Sequence, residues 1–353
     1  MHIVHILFTL STGGMESMLM DIISEQSNYE RVSLIIINRE NNYKILDFLN
    51  KDIPVYIVNR PKGSNNPYWV FKLNSILFRL KANIVHIHNG NTIKLLFKNP
   101  RTRYVYTEHD TKLGIKNPKK FDQIYAISKS VKNKLYETFR YNASLVYNGI
   151  KTESIFSNAQ ERKSKIFNLV QISRLETQKK GQHILIQAIN ELVNNRGINN
   201  IHVDFIGDGE SLNELIQLCE KYNLSKYISF KGAVNRTDIY KNLHNYQLLV
   251  QPSLYEGFGL TVAEAMAAGV PVLVSDIEGP MEIIENGKYG NSFKTGNPLD
   301  CASMIEKIMI DYPDYLTLAE IAEKHVKKTF DIKATATCYL DNYHFLLDKK
   351  NKQ

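Results

Sequence analysis

Two glutamates, Glu256 and Glu264, stand on either side of a glycine-containing turn in the second half of the chain. The apolar run at residues 248–250 predicts a buried strand before the turn, and residues 260–268 favour a helix after it. Glycines at such a junction let backbone N–H groups approach a ligand closely, and the helix N-terminus adds a partial positive charge. We interpret the turn as a diphosphate site whose carboxylates accept hydrogen bonds from sugar hydroxyls. The alternative is that Glu256 is a loop charge and Glu264 lies on a solvated helix face.

A second locus, of opposite charge, follows the predicted strand at residues 167–172. The turn after this strand offers Arg174 and Lys180, with Lys179 as the competing lysine. A guanidinium can fork onto two phosphate oxygens, and a lysine supplies a mobile positive charge. Together they could neutralise a leaving nucleoside diphosphate. The alternative is a solvated basic loop.

The stretch Glu-Gly-Phe-Gly-Leu-Thr-Val-Ala-Glu-Ala-Met-Ala-Ala-Gly-Val-Pro-Val at residues 256–272 resembles the signature of the family-4 retaining glycosyltransferases. The resemblance implies that the first glutamate contacts the donor sugar and the second contacts the ribose of the nucleotide. An arginine followed, after five residues, by Lys-Gly is also similar to the family's pattern. The resemblance thus implies catalytic roles for Arg174, Lys180 and Glu256, and donor binding by Gly257, Phe258, Gly259, Leu260 and Glu264.

Gly13 and Gly14 lie between a predicted first strand, residues 2–10, and a predicted helix. The third glycine of the dinucleotide-binding fingerprint is missing, which disfavours an oxidoreductase. In the resembled family an early Gly-Gly lines the interdomain cleft near the donor phosphate or the acceptor. The resemblance assigns that place to this pair.

His109 and Asp110 follow the predicted strand at residues 103–107. Their turn, Thr-Glu-His-Asp, is similar to a family turn whose histidine lies beside the donor sugar. The resemblance therefore implies a catalytic role for His109, with Asp110 as an orienting neighbour on the acceptor side. A structural role is the alternative for either residue.

His86 and His88 alternate with apolar residues on a predicted strand that begins at residue 84. On a strand their side chains point to the same face. Metal binding by the pair lacks a third ligand at a recognisable spacing. We expect His88 to face the cleft on the acceptor side, and His86 to be a hydrogen-bonded core residue.

Two more turns of the second half are similar to nucleotide-binding turns of the family. Gly207 opens a Gly-x-Gly turn after the predicted strand at residues 203–206. Gly232 lies in the segment 228–234, whose backbone commonly reads the base in the family. Backbone contacts leave little trace in side-chain identity, so the base stays open.

A length of 353 residues suits two domains, and alternating strands and helices predict parallel sheets covered by helices. The resemblance implies an α/β protein of GT-B fold, in which two Rossmann-like domains face each other across a cleft. We expect an acceptor-side domain at residues 1–160 and a nucleotide-sugar domain at residues 161–333. The stretch 151–165 is the predicted linker, and a C-terminal helix at residues 334–353 is expected to pack back on the first domain.

Composition excludes several classes of protein. Three widely spaced cysteines indicate neither a disulfide framework nor a zinc site, and no apolar run reaches membrane-spanning length. The basic segment, residues 94–134, holds eleven basic and three acidic residues. Its net charge is therefore +8, which equals the net charge of the whole chain. This segment favours an anionic membrane surface or an acidic acceptor, unless it is a solvated face. No nucleic-acid-binding motif accompanies the charge.

Together with these observations, the family resemblance implies an enzyme that moves a hexosyl-type group from a UDP- or GDP-linked sugar to an acceptor hydroxyl with retention. The expected acceptor is a glycan or polyisoprenyl-linked glycan in bacterial surface polysaccharide assembly. No cofactor is expected, and the absence of a D-x-D motif favours a metal-independent reaction. We expect the protein in the cytoplasm, peripheral on the inner face of the plasma membrane. A sugar-nucleotide epimerase of GT-B fold and a catalytically silent partner subunit are the alternatives.

Overall fold

A computed structural model of the chain describes residues 1–11, 13–157 and 164–351, with side chains up to residue 349. The chain divides into two compact units. Unit 1 comprises Met1–Ile150 and Phe330–Gln353, and unit 2 comprises Lys151–Thr329. The expected boundary at residues 160/161 lies outside the described residues, and the structure divides the chain ten residues earlier, after Ile150.

Unit 1 is built on a seven-stranded sheet in the order β3-β2-β1-β4-β5-β6-β7, with every neighbouring pair parallel. The strand order reverses between β1 and β4, and ligands of open α/β sheets bind beyond the carboxyl ends of the strands at such a point. The strands are β1 (His2–Leu7), β2 (Arg31–Asn38), β3 (Val55–Arg60), β4 (Ile84–Ile87), β5 (Arg103–Glu108), β6 (Gln123–Ala126) and β7 (Ser144–Leu145).

Four α-helices belong to unit 1 among the described residues, and 3₁₀ turns lie at Tyr43–Phe48, Gly90–Leu95 and Pro118–Lys120. The side chain of Ser128 accepts a hydrogen bond from Val131 N at 3.2 Å and so caps the N-terminus of the helix that follows β6. The helices are α1 (Gly14–Gln26), α2 (Tyr68–Leu80), α3 (Lys129–Phe139) and the C-terminal α12 (Ile332–Asn351).

The expectation that the first strand reaches residue 10 is wrong, because β1 ends at Leu7. Phe8 O still accepts from Asn38 N, the last residue of β2, at 2.7 Å. Leu10 N instead donates to the side chain of Asn41, in the turn after β2, at 2.7 Å to Oδ1. The chain has therefore left the sheet by Leu10.

Helix α12 completes the core of unit 1. It packs against α1, and Ile150 bridges to Asp331 where the chain re-enters the unit. Tyr343 is fully buried, and its hydroxyl lies 2.5 Å from His86 Nδ1 on β4. The helix therefore both covers apolar surface and supplies a polar partner to a buried histidine.

Unit 2 has a six-stranded sheet in the order β10-β9-β8-β11-β12-β13, again parallel throughout. Its order reverses between β8 and β11. The strands are β8 (Phe167–Ile172), β9 (Ile201–Ile206), β10 (Ile228–Phe230), β11 (Leu248–Gln251), β12 (Val272–Ser275) and β13 (Asn291–Phe293). The helices are α4 (Thr177–Lys180), α5 (Gln182–Asn190), α6 (Leu212–Lys221), α7 (Arg236–Asn242), α8 (Leu260–Ala267), α9 (Glu278–Ile283), α10 (Pro298–Ile310) and α11 (Tyr312–Thr329), with a π-helical turn at Glu191–Asn195 after α5.

The stretch 275–280 reads in the sequence as a polar turn, but helix α9 begins inside it at Glu278. The second residue of this helix, Gly279, makes a close contact that only glycine permits. A Cβ on Gly279 would lie 2.5 Å from Glu256 O, so the first turn of α9 packs directly on the turn after β11.

Among the described residues, no helix is both long enough and apolar enough to cross a bilayer.

The contact between Tyr343 and His86 generates a prediction about stability. Replacing Tyr343 by Ala removes a fully buried ring and should lower the free energy of unfolding by about 3–5 kcal/mol, whereas Tyr343→Phe should cost only about 1 kcal/mol. Urea denaturation followed by tryptophan fluorescence would measure both, since the single Trp69 lies in unit 1. Wild-type stability of Tyr343→Ala would show that α12 does not contribute to the core.

Candidate active site

An ion pair joins the turns after β8 and β11 at the reversal point of the unit 2 sheet. Lys180 Nζ donates to Glu256 Oε2 in this pair. The two side chains are only 17% and 16% exposed, so salt screens their attraction less than it would at an open surface. The structure thus brings together two of the predicted catalytic residues.

Backbone geometry holds Lys180 in this position. Gln171 on β8 donates from its side-chain amide to Lys180 O at 3.0 Å. Gly181 ends α4 with φ +66°, and a Cβ there would lie 2.0 Å from Pro252 O. A side chain at position 181 would therefore collide with the turn after β11, which carries Glu256.

Arg174 lies in the same turn and is exposed. Its carbonyl oxygen accepts from Gln182 Nε2 at 2.8 Å, which fixes the backbone that carries the guanidinium. Gly207, in the turn after β9, packs against this backbone. It has φ +136°, and a Cβ on it would lie 1.9 Å from Ser173 O. Gly207 thus places a third turn beside Arg174.

Gly232 follows β10 at the same edge of the sheet. Its carbonyl oxygen accepts from Gly207 N at 2.8 Å, so the turns after β9 and β10 are tied together. It has φ +67°, and no described atom lies within 4 Å of where its Cβ would be. The space beside its backbone is therefore open.

The turn after β11 leads into α8. Gly257 and Phe258 are buried, and Gly259 adopts φ +112° immediately before Leu260, the first residue of the helix. Glu264 lies one turn further along α8. The first N–H groups of a helix have no partners within it, so this turn presents donors and a partial positive charge.

Glu264 has a hydrogen-bond partner that the sequence did not indicate. Tyr240 on α7 donates its hydroxyl proton to Glu264 Oε1 at 2.9 Å. The tyrosine lies 24 residues before the glutamate and carries no motif of its own. This bond fixes the carboxylate of Glu264, which is half-buried.

The edge of the unit 2 sheet therefore collects complementary groups. Arg174 and Lys180 supply positive charge, and the N-terminus of α8 adds backbone donors. Glu256 and Glu264 supply acceptors. Cations and N–H donors suit a diphosphate, and carboxylates suit hydroxyl groups.

In unit 1, the sequence predicted Gly13 and Gly14 before the helix, whereas the structure places only Gly13 between β1 and α1; their neighbour Thr12 lies outside the described residues. Gly13 is the residue before α1, and Gly14 is the first residue of the helix. Glu16 is buried in the first turn and accepts a hydrogen bond from Ser11 Oγ. A carboxylate therefore already occupies this helix N-terminus.

A chain of hydrogen-bonded histidines crosses unit 1. Gln26 Oε1 lies 2.8 Å from His5 Nε2, and His5 Nδ1 lies 3.0 Å from His88 Nε2. His88 Nδ1 then lies 3.3 Å from His109 Nε2. His88 and His109, assigned separately from the sequence, are thus neighbours in one network.

Burial keeps these histidines neutral. It lowers the pKa of His5 and of His109 to about 4, and it holds the pKa values of His86 and His88 well below the usual range. A neutral imidazole has one N–H and one acceptor nitrogen, so all hydrogen bonds of the histidine network must donate in the same direction. If Gln26 Oε1 accepts from His5, then His109 Nε2 carries the proton and its Nδ1 is the acceptor.

His5, His86 and His88 are also the group of described residues that could ligate a metal ion, with ligand atoms within 4.8 Å of one another. His5 supplies the third ligand that the sequence lacked. However, His86 already bonds Tyr343 at 2.5 Å and Thr107 at 2.7 Å, and no carboxylate or thiolate belongs to the group. The observed arrangement is that of a satisfied hydrogen-bond network, and His86 is the core residue that was expected.

Two carboxylates flank His109. Asp110 Oδ1 accepts from Lys112 N at 3.2 Å and so bonds the following turn, while the ring of His109 bonds His88. Glu108 is buried, accepts from Gly114 N at 2.8 Å, and has its pKa raised to about 7 by burial. Sequence reasoning passed over Glu108, because nothing in the motif reveals that this carboxyl group points inward.

Comparison with known proteins identifies the family. The family described as "Glycosyl transferases group 1" matches residues 151–325, and the one described as "Glycosyltransferase Family 4" matches residues 12–154. The chain belongs to the group 1 glycosyltransferases. Together the two matches span residues 12–325, which include the candidate site of unit 2 and His88 and His109 of unit 1.

Similar proteins agree with this assignment. An uncharacterized glycosyltransferase of Methanocaldococcus jannaschii is 27% identical over 254 residues, covering 71% of this chain and 66% of that protein. Glycogen synthase of Mycobacterium tuberculosis is 27% identical over 225 residues, covering 63% of this chain and 54% of the synthase. Anabaena Alr3699/HepE in complex with UDP and glucose matches with a TM-score of 0.80 at 20% identity, over 97% of this chain and 99% of that one. The glycosyltransferase therefore has the GT-B fold.

The neutral histidines of this glycosyltransferase generate a prediction about pH. His5 has a folded pKa of about 4 against an ordinary value of 6.5, so the unfolded state binds the extra proton and stability falls as pH drops below 6.5. Between pH 8 and pH 5, His5 should remove about 2 kcal/mol from the free energy of unfolding.

The measurement is the difference in unfolding free energy between wild type and His5→Gln as a function of pH. Taking the difference cancels Glu108, whose raised pKa acts in the opposite direction. The wild type should lose its advantage over the variant as pH falls. A difference that does not change with pH would contradict a neutral, buried His5.

Proposed function

We propose that the chain transfers a hexosyl group, with retention, from a nucleoside diphosphate sugar to an acceptor hydroxyl. The observation that carries the proposal is the contact of Lys180 with Glu256 beside the exposed Arg174, at the reversal point of the unit 2 sheet. Cations for a diphosphate and carboxylates for a sugar meet at the place where an open α/β sheet binds its ligand.

The cations act on the leaving group. When the bond between the anomeric carbon and the phosphate oxygen breaks, negative charge grows on the diphosphate. Arg174, Lys180 and the N-terminus of α8 stabilise that charge from fixed positions, so little reorganisation is needed during the reaction. In our proposal this stabilisation requires no metal ion.

Glu256 has a positioning role in this proposal. Its carboxylate is paired with Lys180 in the free protein, which makes it a weak nucleophile. Donor binding draws Lys180 towards phosphate, and Glu256 then accepts a hydrogen bond from a sugar hydroxyl. The acceptor hydroxyl attacks the anomeric carbon on the face from which the diphosphate departs and gives its proton to the departing phosphate oxygen, so retention needs no covalent intermediate.

Glu264 binds the ribose. The hydrogen bond from Tyr240 holds its carboxylate in place and leaves acceptor capacity for a ribose hydroxyl. The open backbone at Gly232 suits the base, and the neighbouring Gly207 supports that turn. We favour UDP over GDP as the nucleotide, because HepE, which has the same fold, was solved with UDP.

Unit 1 contributes the remaining groups of the proposal. His109 lies beside the donor sugar, as the family resemblance implies, with His88 and Asp110 on the acceptor side. At Gly13 and Gly14 the carboxylate of Glu16 would repel a phosphate, so this turn suits a hydroxyl-bearing ligand such as the acceptor.

The proposed acceptor is a glycan linked to a polyisoprenyl lipid, in assembly of a bacterial capsule, exopolysaccharide or O-antigen. The protein would then work in the cytoplasm, at the inner face of the plasma membrane. A sugar-nucleotide epimerase would convert the donor without any acceptor. A silent partner subunit would show no turnover under any condition.

The ion pair generates the first functional prediction. Lys180→Ala and Arg174→Ala should each lower kcat by about a hundredfold to a thousandfold, because each removes a fixed charge from the developing diphosphate. The measurement is release of nucleoside diphosphate in the presence of acceptor, with product stereochemistry read by NMR.

Lys179→Ala is the matched control, since it removes the same charge from the adjacent position. Lys179 Nζ lies 5.0 Å from the Tyr255 ring centroid, outside the pair with Glu256. The control should retain kcat within about threefold. Equal losses in Lys179→Ala and Lys180→Ala would show that only general positive charge matters.

The nucleotide generates a second functional prediction. UDP at a hundredfold excess over its Kd should stabilise the protein by about 2.7 kcal/mol, because the ligand binds only the folded state. A thermal-shift series with UDP, GDP and ADP would measure this, and Glu264→Gln should weaken the response. If none of the nucleotides shifts the melting temperature, the donor site proposed here is wrong.

A further inference from the structure

Four large aromatic side chains are exposed together on unit 1, away from the residues discussed so far. Tyr68, Phe71 and Phe78 lie on α2, and Phe97 lies between β4 and β5. Their exposed fractions are 56%, 63%, 79% and 58%. We call this set the aromatic face. Helix α2 buries Leu73, Asn74 and Leu80 elsewhere on its surface, so the three exposed rings are apolar residues outside its buried side.

The aromatic face is held in place by buried contacts. Phe71 and Phe97 meet edge to face with ring centroids 5.7 Å apart. Asn74 accepts from Phe97 N at 2.6 Å and donates to Leu95 O at 2.8 Å, which fixes the segment against α2. Ordered exposed rings of this kind are unusual on a surface that faces only water.

A groove opens within the face. It has a volume of about 350 Å³ and is lined mainly by apolar side chains. Its floor includes Ala82, Val85, Thr102 and Tyr104 from the starts of β4 and β5. The groove therefore lies at the amino edge of the unit 1 sheet, and His88 and His109 lie at the carboxyl edge.

The chain around this face is strongly basic. Residues 53–107 contain no aspartate or glutamate. Lys81 lines the groove, and Lys98 Nζ lies 5.5 Å from the ring centroid of Tyr104. The basic residues of this stretch that lie in the last turn of α2 or between α2 and β4, or that closely precede or begin β5, are Arg79, Lys81, Lys98, Arg101 and Arg103, of which Arg103 pairs with Asp122 at 3.1 Å.

The basic segment at residues 94–134 is not one patch. Because the strands are parallel, residues that precede β5 and β6 lie at the amino edge, and residues that follow them lie at the carboxyl edge. Lys98 donates to Lys120 O, which confirms that these two residues of the amino edge are neighbours. Lys112 and Lys129 follow the strands instead. Only the residues that precede β5 and β6, such as Lys98 and Lys120, share an edge with the groove.

We propose that the aromatic face and its basic surroundings dock unit 1 on an anionic lipid bilayer, with an acyl chain entering the groove. Aromatic rings prefer the headgroup level, and lysine and arginine side chains are attracted to anionic lipid. A second copy of the chain is a poor occupant, since it would bring like charges together. The inference rests on the proposed function in one respect: a lipid-linked acceptor would lie in the same membrane.

The test is sedimentation with phosphatidylcholine vesicles, with and without phosphatidylglycerol. The wild type should bind the anionic vesicles and lose binding at high salt. The double variant Phe71→Ser/Phe78→Ser should bind about a hundredfold more weakly, at about tenfold for each ring. The control, Phe156→Ser/Phe345→Ser, removes two rings that are 57% and 58% exposed elsewhere, and it should bind within about threefold of wild type.

Several outcomes would overturn the inference. Vesicle binding by Phe71→Ser/Phe78→Ser equal to wild type would do so. So would absence of wild-type binding, or light scattering in which the double variant merely converts an oligomer to a monomer. If the double variant does not fold, Lys81→Glu/Arg101→Glu serves instead and should lose binding to anionic vesicles.

Failure of this inference and failure of the proposed function are distinguishable. Phe71→Ser/Phe78→Ser should keep wild-type turnover with a water-soluble acceptor, because the variant does not alter the residues proposed for transfer. Wild-type protein that binds anionic vesicles but never transfers sugar would support the docking surface and overturn the proposed function. Turnover without vesicle binding would support the proposed function and overturn the docking surface.

Discussion

The parallel direction of every strand is the constraint on which the candidate site depends. Because all strands of unit 2 end at one edge, turns that are neighbours in the sheet deliver Lys180 and Glu256 to one place, although 76 positions separate them in sequence. Glycines then set the approach of the turns. At Gly181 and Gly207, a Cβ would collide with a backbone oxygen of the adjacent turn. The backbone thus fixes the relative position of the two turns, and the ion pair of Lys180 with Glu256 forms within that geometry.

The same constraint gives unit 1 an edge of a different chemical character. There β1, β4, β5 and the turns after them bring together neutral histidines and Glu108, all of them buried enough to resist ionisation. Their effects on stability oppose one another. Lowering the pKa of His5 costs stability as pH falls below 6.5, and raising the pKa of Glu108 to about 7 costs stability as pH rises above 4.5. The two trends offset each other between those values, so a nearly flat stability profile would hide two large contributions.

How far the sequence could predict the site depends on where the information lies. Glycine spacing and strand ends are local, so the turns carrying Arg174 and Glu256 were placed correctly, as were most strands and α8. Partners across the fold are not local. Tyr240 reaches Glu264 from another helix, and His5 joins His88 only because β1 pairs with β4 in that register. No periodicity in one segment reports such a contact.

The surface on α2 shows the same limit for charge. Counting residues along the chain gave a basic segment at 94–134, but that window mixes the two edges of one sheet. The acid-free stretch at residues 53–107 also spans both edges, because it contains the carboxyl ends of β3 and β4 as well as α2 and the starts of β4 and β5. The groove lies at the amino edge of these strands, while His88 and His109 follow their carboxyl ends. A bilayer at the amino edge would therefore leave the histidine edge of unit 1 uncovered, so docking and ligand binding need not compete for the same side chains.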